Sequence, residues 1–213
     1  MKLWPDLPPD PFLFEKDLYR KGHTLVAGLD EVGRGPLAGP VVAACVVLPV
    51  ECNYRQFVDS KKISPSIRQE LRCELDEINA MIGIGIVAEA EIDRINILQA
   101  SLLAMKKALL SMERQPDFLL VDGKFPVPIA IPQQTLVKGE SKSASIAAAS
   151  IVAKIYRDEM MEGYHKQFPC YNFSKNKGYP TEEHRRAVRE HGPCEIHRRS
   201  FKGVREFLQD ADD

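Results

Sequence analysis

Residues 24–49 read TLVAGLDEVGRGPLAGPVVAACVVLP, and the fold turns on how this stretch is divided. TLVAGLDE (24–31) and PVVAACVVL (40–48) are apolar runs rich in residues that favour strands, and GRGPLAG between them is Gly/Pro-rich turn material. The spacing predicts a hairpin. Its first strand closes on Asp30 and Glu31, adjacent carboxylates whose side chains leave a strand on opposite faces. Both can serve one site only if the strand kinks or ends between them, and Gly28, Gly33 and Gly35 supply that backbone freedom. Glycine amides in such a loop can also approach an anion closely, as in a nest.

A second reading of the same loop is weaker. GRGPLA fits the G-x-G-x-x-[GA] dinucleotide fingerprint, but Pro36 and the run VVAACVV follow where a helix should begin. The G-K-[ST] ending of a phosphate-binding P-loop is also missing.

Outward from the hairpin, residues 1–22 hold four prolines and read as an irregular lead-in to a domain over 23–213. SPSIRQELRCELDEIN (64–79) starts on Ser-Pro and repeats apolar residues at helical spacing. MIGIGIVA (81–88) reads as a strand, and residues 89–113 as one long helix. Strands follow at 117–123 and 135–139, then helices at 143–168 and 180–192, with a last turn near 204–210. The order predicts a mixed α/β domain around one sheet.

Composition narrows the function. The five cysteines form no C-x-x-C pair and the five histidines no H-E-x-x-H, so a metal would have to be held by oxygen. The apolar runs are too short to span a bilayer, and acids and prolines occupy the place of a signal peptide. A cytoplasmic protein with no membrane partner is expected. The net charge of −1 hides an asymmetry, for residues 124–205 carry 15 Lys+Arg against 8 Asp+Glu, a footprint suited to a polyanion.

Four acids sit where apolar segments end or on a core-facing helix stripe: Asp30, Glu31, Asp122 and Asp158. Each is costly in such a place unless compensated. Divalent Mg²⁺ or Mn²⁺ compensates all four together, and two ions about 4 Å apart can clamp an in-line phosphoryl displacement.

AGLDEVGRGPLAGPVVAACVVLP (27–49), DSKKIS (59–64), LLVDG (119–123), KGESKSASIAAASIVAKIYRD (138–158), NKGYPTEEH (176–184) and IHRRSF (196–201) together resemble the bacterial ribonuclease HII family, in the family's order. The resemblance implies a ribonuclease H-like fold, a central mixed sheet flanked by helices with a C-terminal helical segment. It implies endonucleolytic hydrolysis of RNA in RNA–DNA hybrids and at single ribonucleotides in duplex DNA, 5′ of the ribonucleotide, leaving 3′-hydroxyl and 5′-phosphate ends. The family's metal-site acids fall on Asp30, Glu31, Asp122 and Asp158. Its 2′-hydroxyl-reading loop falls on Gly33, Arg34 and Gly35, and its sugar-packing tyrosine on Tyr179. Two positions depart from the family: Glu140 stands where aspartate is usual, and Asn176 where histidine is common.

On this reading Asp30 and Asp158 hold one ion, and Asp30, Glu31 and Asp122 the other. Lys61, Lys62, Lys142, Lys154, Lys175 and Lys177 are candidate phosphate contacts. Ser143 either caps its helix or meets a phosphate. His197, Arg198 and Arg199 either touch nucleic acid or tie the C-terminal segment to the body. A monomer is expected. The alternatives are a ribonuclease HIII-type nuclease, for whose extra domain the roughly 22 residues before the first strand are too few, and a non-catalytic hybrid-binding module.

Overall fold

The structure is a computed structural model and describes residues 10–57, 60 and 63–208. Five strands form one sheet in the order β3-β2-β1-β4-β5. They are β1 (Val26–Val32), β2 (Val41–Val47), β3 (Met81–Val87), β4 (Phe118–Asp122) and β5 (Gln133–Leu136). β1–β2 and β2–β3 pair antiparallel, while β1–β4 and β4–β5 pair parallel. The hairpin and the mixed sheet are as the sequence predicts.

β2 is buried on both faces, and its alternation assigns the layers. Val41, Ala43, Cys45 and Val47 pack with Ala100, Ala104 and Ala108 of α4 (Ile97–Leu110). Ala44 and Val46 face Ala144, Ala147 and Ala148 of α5 (Ala144–Gln167). The small residues of α5 let it lie close to the sheet. At Gly28 the approach is so tight that a Cβ would stand 2.1 Å from the Ser145 carbonyl carbon.

Three expectations are corrected. The lead-in is not wholly irregular, since Leu13–Arg20 form a helix (α1) whose Glu15 is buried against the start of α5. The single helix over 89–113 is two, α3 (Glu89–Ile95) and α4. Asn96 takes φ 68° between them, and its carboxamide oxygen accepts the Leu98 and Gln99 amides, so it ends one helix and caps the next. The strand placed at 135–139 stops at Leu136. Lys138 is left-handed, and the Gly139 amide goes to Asp122 instead of the sheet. The remaining helices are α2 (Pro65–Glu77), α6 (Phe173–Asn176) and α7 (Glu182–His191).

Candidate active site

The parallel pairing of β1 with β4 stops at Leu29 opposite Val121, one residue short of Asp30 and Asp122. The sheet opens there, at the carboxyl ends of parallel strands, where open α/β sheets take ligands. Asp30 lies on the α5 side; Ser150 hydrogen-bonds its carboxylate, and its Oδ1 accepts the Glu31 amide at 2.7 Å. Glu31 lies on the α4 side, in a shallow pocket shared with Leu98, Ser101, Asp122 and Lys124. The Asp122 Oδ1 accepts the Gly139 amide at 2.6 Å.

No kink separates the two adjacent acids. β1 keeps its ladder with β2 through Asp30↔Ala44, Glu31↔Ala43 and Val32↔Val42. They do leave opposite faces, yet both stand at the strand's open edge, and the charge of Asp122 acts on each. The glycine freedom invoked between them acts later in the chain.

Burial, and then the negative charges of Glu31 and Asp122, hold the Asp30 carboxyl well above the usual carboxylate range. Burial also raises Glu31; the Arg34 guanidinium, 3.3 Å away, pulls it back and Asp122 raises it again. Three acids thus repel one another in a crevice with little water.

Asp158 lies on α5 two turns beyond Ser150, roughly 12 Å along the helix at ~1.5 Å per residue. It lines a cleft of about 420 Å³ with Arg68, Ser174 and Lys177, and Lys154 holds its Oδ1 at 2.5 Å. Among the described residues, no three His, Cys, Asp or Glu side chains form a group that could hold a metal ion. Each of the four carboxylates is met by a protein donor instead: Ser150, Arg34, the Gly139 amide or Lys154. Asp30, Glu31 and Asp122 offer only carboxylate oxygens, and their mutual repulsion leaves the crevice short of positive charge; a hard divalent ion fits both properties.

Gly33 has φ +98°, and a Cβ there would stand 2.4 Å from the Arg157 Nε. Two fully buried guanidiniums hold this loop from behind. Arg157 donates to the carbonyls of Pro40, Ala38 and Lys177 at 2.9–3.1 Å. Arg198 donates to those of Gly33 (2.5 Å), Arg34 (3.0 Å) and Gly39 (2.7 Å). Burial pulls Arg198 down to about 9, still above neutrality, so it stays charged. Across the loop, a Cβ on Gly35 would lie 3.6 Å from the ring of Tyr179, which is 41% exposed. Gly35 and Tyr179 are therefore facing walls of one notch.

The other sequence candidates divide. Lys142 and Lys175 are exposed; Lys154 and Lys177 are paired with Asp158 and Glu162. Lys61 and Lys62 lie outside the described residues. Ser143 is buried: its hydroxyl accepts the Ile146 amide and donates to Glu15 at 2.5 Å, so in this structure it caps α5 and presents no surface to a phosphate. His197 and Arg198 are buried and tie the C-terminal segment to the body, whereas Arg199 is exposed. Asn176 shapes the turn before Tyr179, donating to the Tyr171 carbonyl and accepting the Gly178 amide. Glu140 sits in the short 3-10 turn after Lys138. Arg157 was not singled out from sequence; it stands among the charged residues Lys154, Asp158 and Glu159 and carries no distinguishing signal.

A sequence model of the ribonuclease HII family matches residues 27–204. The ribonuclease HII of Desulfotalea psychrophila is 58% identical over 205 residues, covering 95% of this chain and 91% of that protein. Among solved structures, ribonuclease H2 from Pyrococcus horikoshii superposes with a TM-score of 0.71 at 25% identity, covering 86% of this chain and 97% of that one. Bst-RNase HIII in complex with Mn²⁺ shares the fold with a TM-score of 0.65 at 18% identity, over 88% of this chain and 70% of that one.

Proposed function

The chain belongs to the ribonuclease HII family, and from that premise we propose that it cuts 5′ of single ribonucleotides in duplex DNA, in ribonucleotide excision repair, by hydrolysis that depends on two divalent ions. Its coarser activity, that of a ribonuclease H endonuclease on RNA–DNA hybrids, comes with the family. The single observation that carries the finer reading is the juxtaposition of a crevice of repelling carboxylates with a rigid glycine loop facing an exposed tyrosine.

Asp30, Glu31, Asp122 and Asp158 would hold Mg²⁺ or Mn²⁺, and bound ions supply an activated water and charge stabilisation on the scissile phosphate. The protein's own residues do the rest. The Gly33–Gly35 loop, its Gly33 and Arg34 carbonyls held by Arg198 and the Ala38 and Pro40 carbonyls that follow held by Arg157, offers a backbone that need not reorganise when it meets a ribose 2′-hydroxyl, the group that separates RNA from DNA. Tyr179 would pack on the neighbouring sugar. Lys142 and Lys175 would steady the backbone phosphates without reading sequence. Arg34 and Lys154 keep positive charge beside Glu31 and Asp158. Five free cysteines suit the reducing cytoplasm, where we place the protein, acting as a monomer.

The extra substrate-binding domain of a ribonuclease HIII is not needed for this match, which covers most of both chains. A non-catalytic binder has no use for three acids facing phosphates. Product mapping tests the reading: a duplex with one ribonucleotide should be nicked once, on its 5′ side, leaving a 3′-hydroxyl, and only with Mg²⁺ or Mn²⁺ present. Cuts elsewhere, or cuts in chelator, would contradict it.

A further inference from the structure

Behind Tyr179 two imidazoles are buried together, His184 on α7 and His197 in the C-terminal segment, with their Nε2 atoms 3.1 Å apart. The partners fix which nitrogens carry protons. The His184 Nδ1 lies 2.9 Å from the Tyr179 carbonyl, which can only accept, so this nitrogen is protonated. The His197 Nδ1 receives the Cys194 backbone N–H at 3.0 Å, so it is bare and the proton sits on Nε2. The remaining contact then runs from the His197 Nε2–H to the bare Nε2 of His184. One directed chain results, from the Cys194 amide through both rings to the Tyr179 carbonyl. The rings of Tyr171 and Phe173 enclose it.

The same segment grips the opposite wall. The Ile196 carbonyl accepts the Gly39 amide, the Arg198 amide donates to the Leu37 carbonyl, and the Arg198 guanidinium holds Gly33 and Arg34. Residues 194–198 therefore reach both sides of the notch, the loop of Gly35 directly and Tyr179 through His184.

We propose that His184 and His197 are positioning residues that fix Tyr179 against the Gly33–Gly35 loop, so that segment 194–198 sets the width of the notch that receives the ribose. This deepens the function proposed above and rests on Tyr179 lining that notch. A separate backbone bond, from the Leu37 amide to the Gly178 carbonyl, keeps the turn attached when the imidazole chain is cut. Cutting the chain then loosens Tyr179 without detaching it.

The test is a mutant cycle on the single-ribonucleotide duplex with Mn²⁺, using His197→Leu, Tyr179→Ala and the pair, with His197→Gln as the conservative variant that retains a donor toward His184. His197→Leu should lose about 10-fold in kcat/KM, His197→Gln should stay within about 3-fold of wild type, and the double variant should lose no more than Tyr179→Ala alone. Losses that multiply in the double variant overturn the positioning role while leaving Tyr179 in the site. Full activity in Tyr179→Ala overturns the assignment of Tyr179, and this proposal with it. Should His197→Leu not fold, ¹⁵N spectra of the imidazoles in the wild-type protein decide: Nδ1–H on His184 with Nε2–H on His197 is required, and any other pair of tautomers refutes the chain.

Discussion

At Asp30 a single side chain carries opposed demands. Burial and two neighbouring acids raise its pKa, so the native state disfavours the ionised form relative to the unfolded chain. Asp30→Asn removes that charge at nearly constant shape. In metal-free buffer the variant should melt higher, by roughly 2–8 °C for a gain of about 1–2 kcal/mol, and should cut no ribonucleotide substrate. A lower melting temperature, or retained cleavage, would contradict the role given to this residue. His197 has the opposite sign. Burial, then the charge of His184, press its pKa down to about 4 from 6.5. The native state thus binds fewer protons than the unfolded chain between these values. The neutral imidazole chain stabilises fully above pH 6.5, and its contribution of up to about 3 kcal/mol is lost as pH falls toward 4. Because Asp30 and Glu31 shift the other way, the readout is a difference: the unfolding free energies of wild type and His197→Gln should converge between pH 6.5 and 4. A gap independent of pH would refute the coupling.

At the level of elements, the sequence was most legible where one pattern had one cause. The β-branched hairpin, the alternating β3 and the Ala-rich α5 are each set by burial alone, and each formed as read. Misreadings arose where a polar side chain overrode local pattern. Asn96 splits a continuous apolar stripe because its carboxamide caps the second helix, and Asp122 ends β5 early by taking the Gly139 amide. Such long-range bonds leave no periodicity to find. The buried partners of the glycine loop were only half legible for the same reason: of the two roles open to Arg198 the fold selects the tie to the body, and Arg157 carries no pattern that marks it as buried. The β1–α5 contact is sharper in structure than in sequence. Gly28→Ala would force a Cβ within 2.1 Å of the α5 backbone. The variant should lose about 3 kcal/mol, roughly 6–12 °C in melting temperature, measured by calorimetry. An unchanged melting temperature would mean that α5 does not lie that close.

For the whole molecule, the topology assembles what the chain keeps apart. Asp30 and Glu31 enter with β1 and Asp122 with β4, and the parting of β1 from β4 makes the opening these three border, while Asp158 comes with α5 and lines the neighbouring cleft. Asp30, Glu31 and Asp122 could be chosen from their places at segment ends, and Asp158 from a core-facing helix stripe. Their pairings with Arg34, Ser150 and Lys154 could not, since those follow from three-dimensional proximity. The fold class, by contrast, was readable from element order alone, because a hairpin followed by alternating strands and helices admits few sheets. The central claim is that these distant carboxylates act together on divalent ions, and manganese titration calorimetry addresses it most directly. Wild-type protein should bind Mn²⁺ with measurable heat, and the folded double variant Asp30→Asn/Asp122→Asn should show none. Equal binding by the two proteins, or no binding by wild type, would contradict the account.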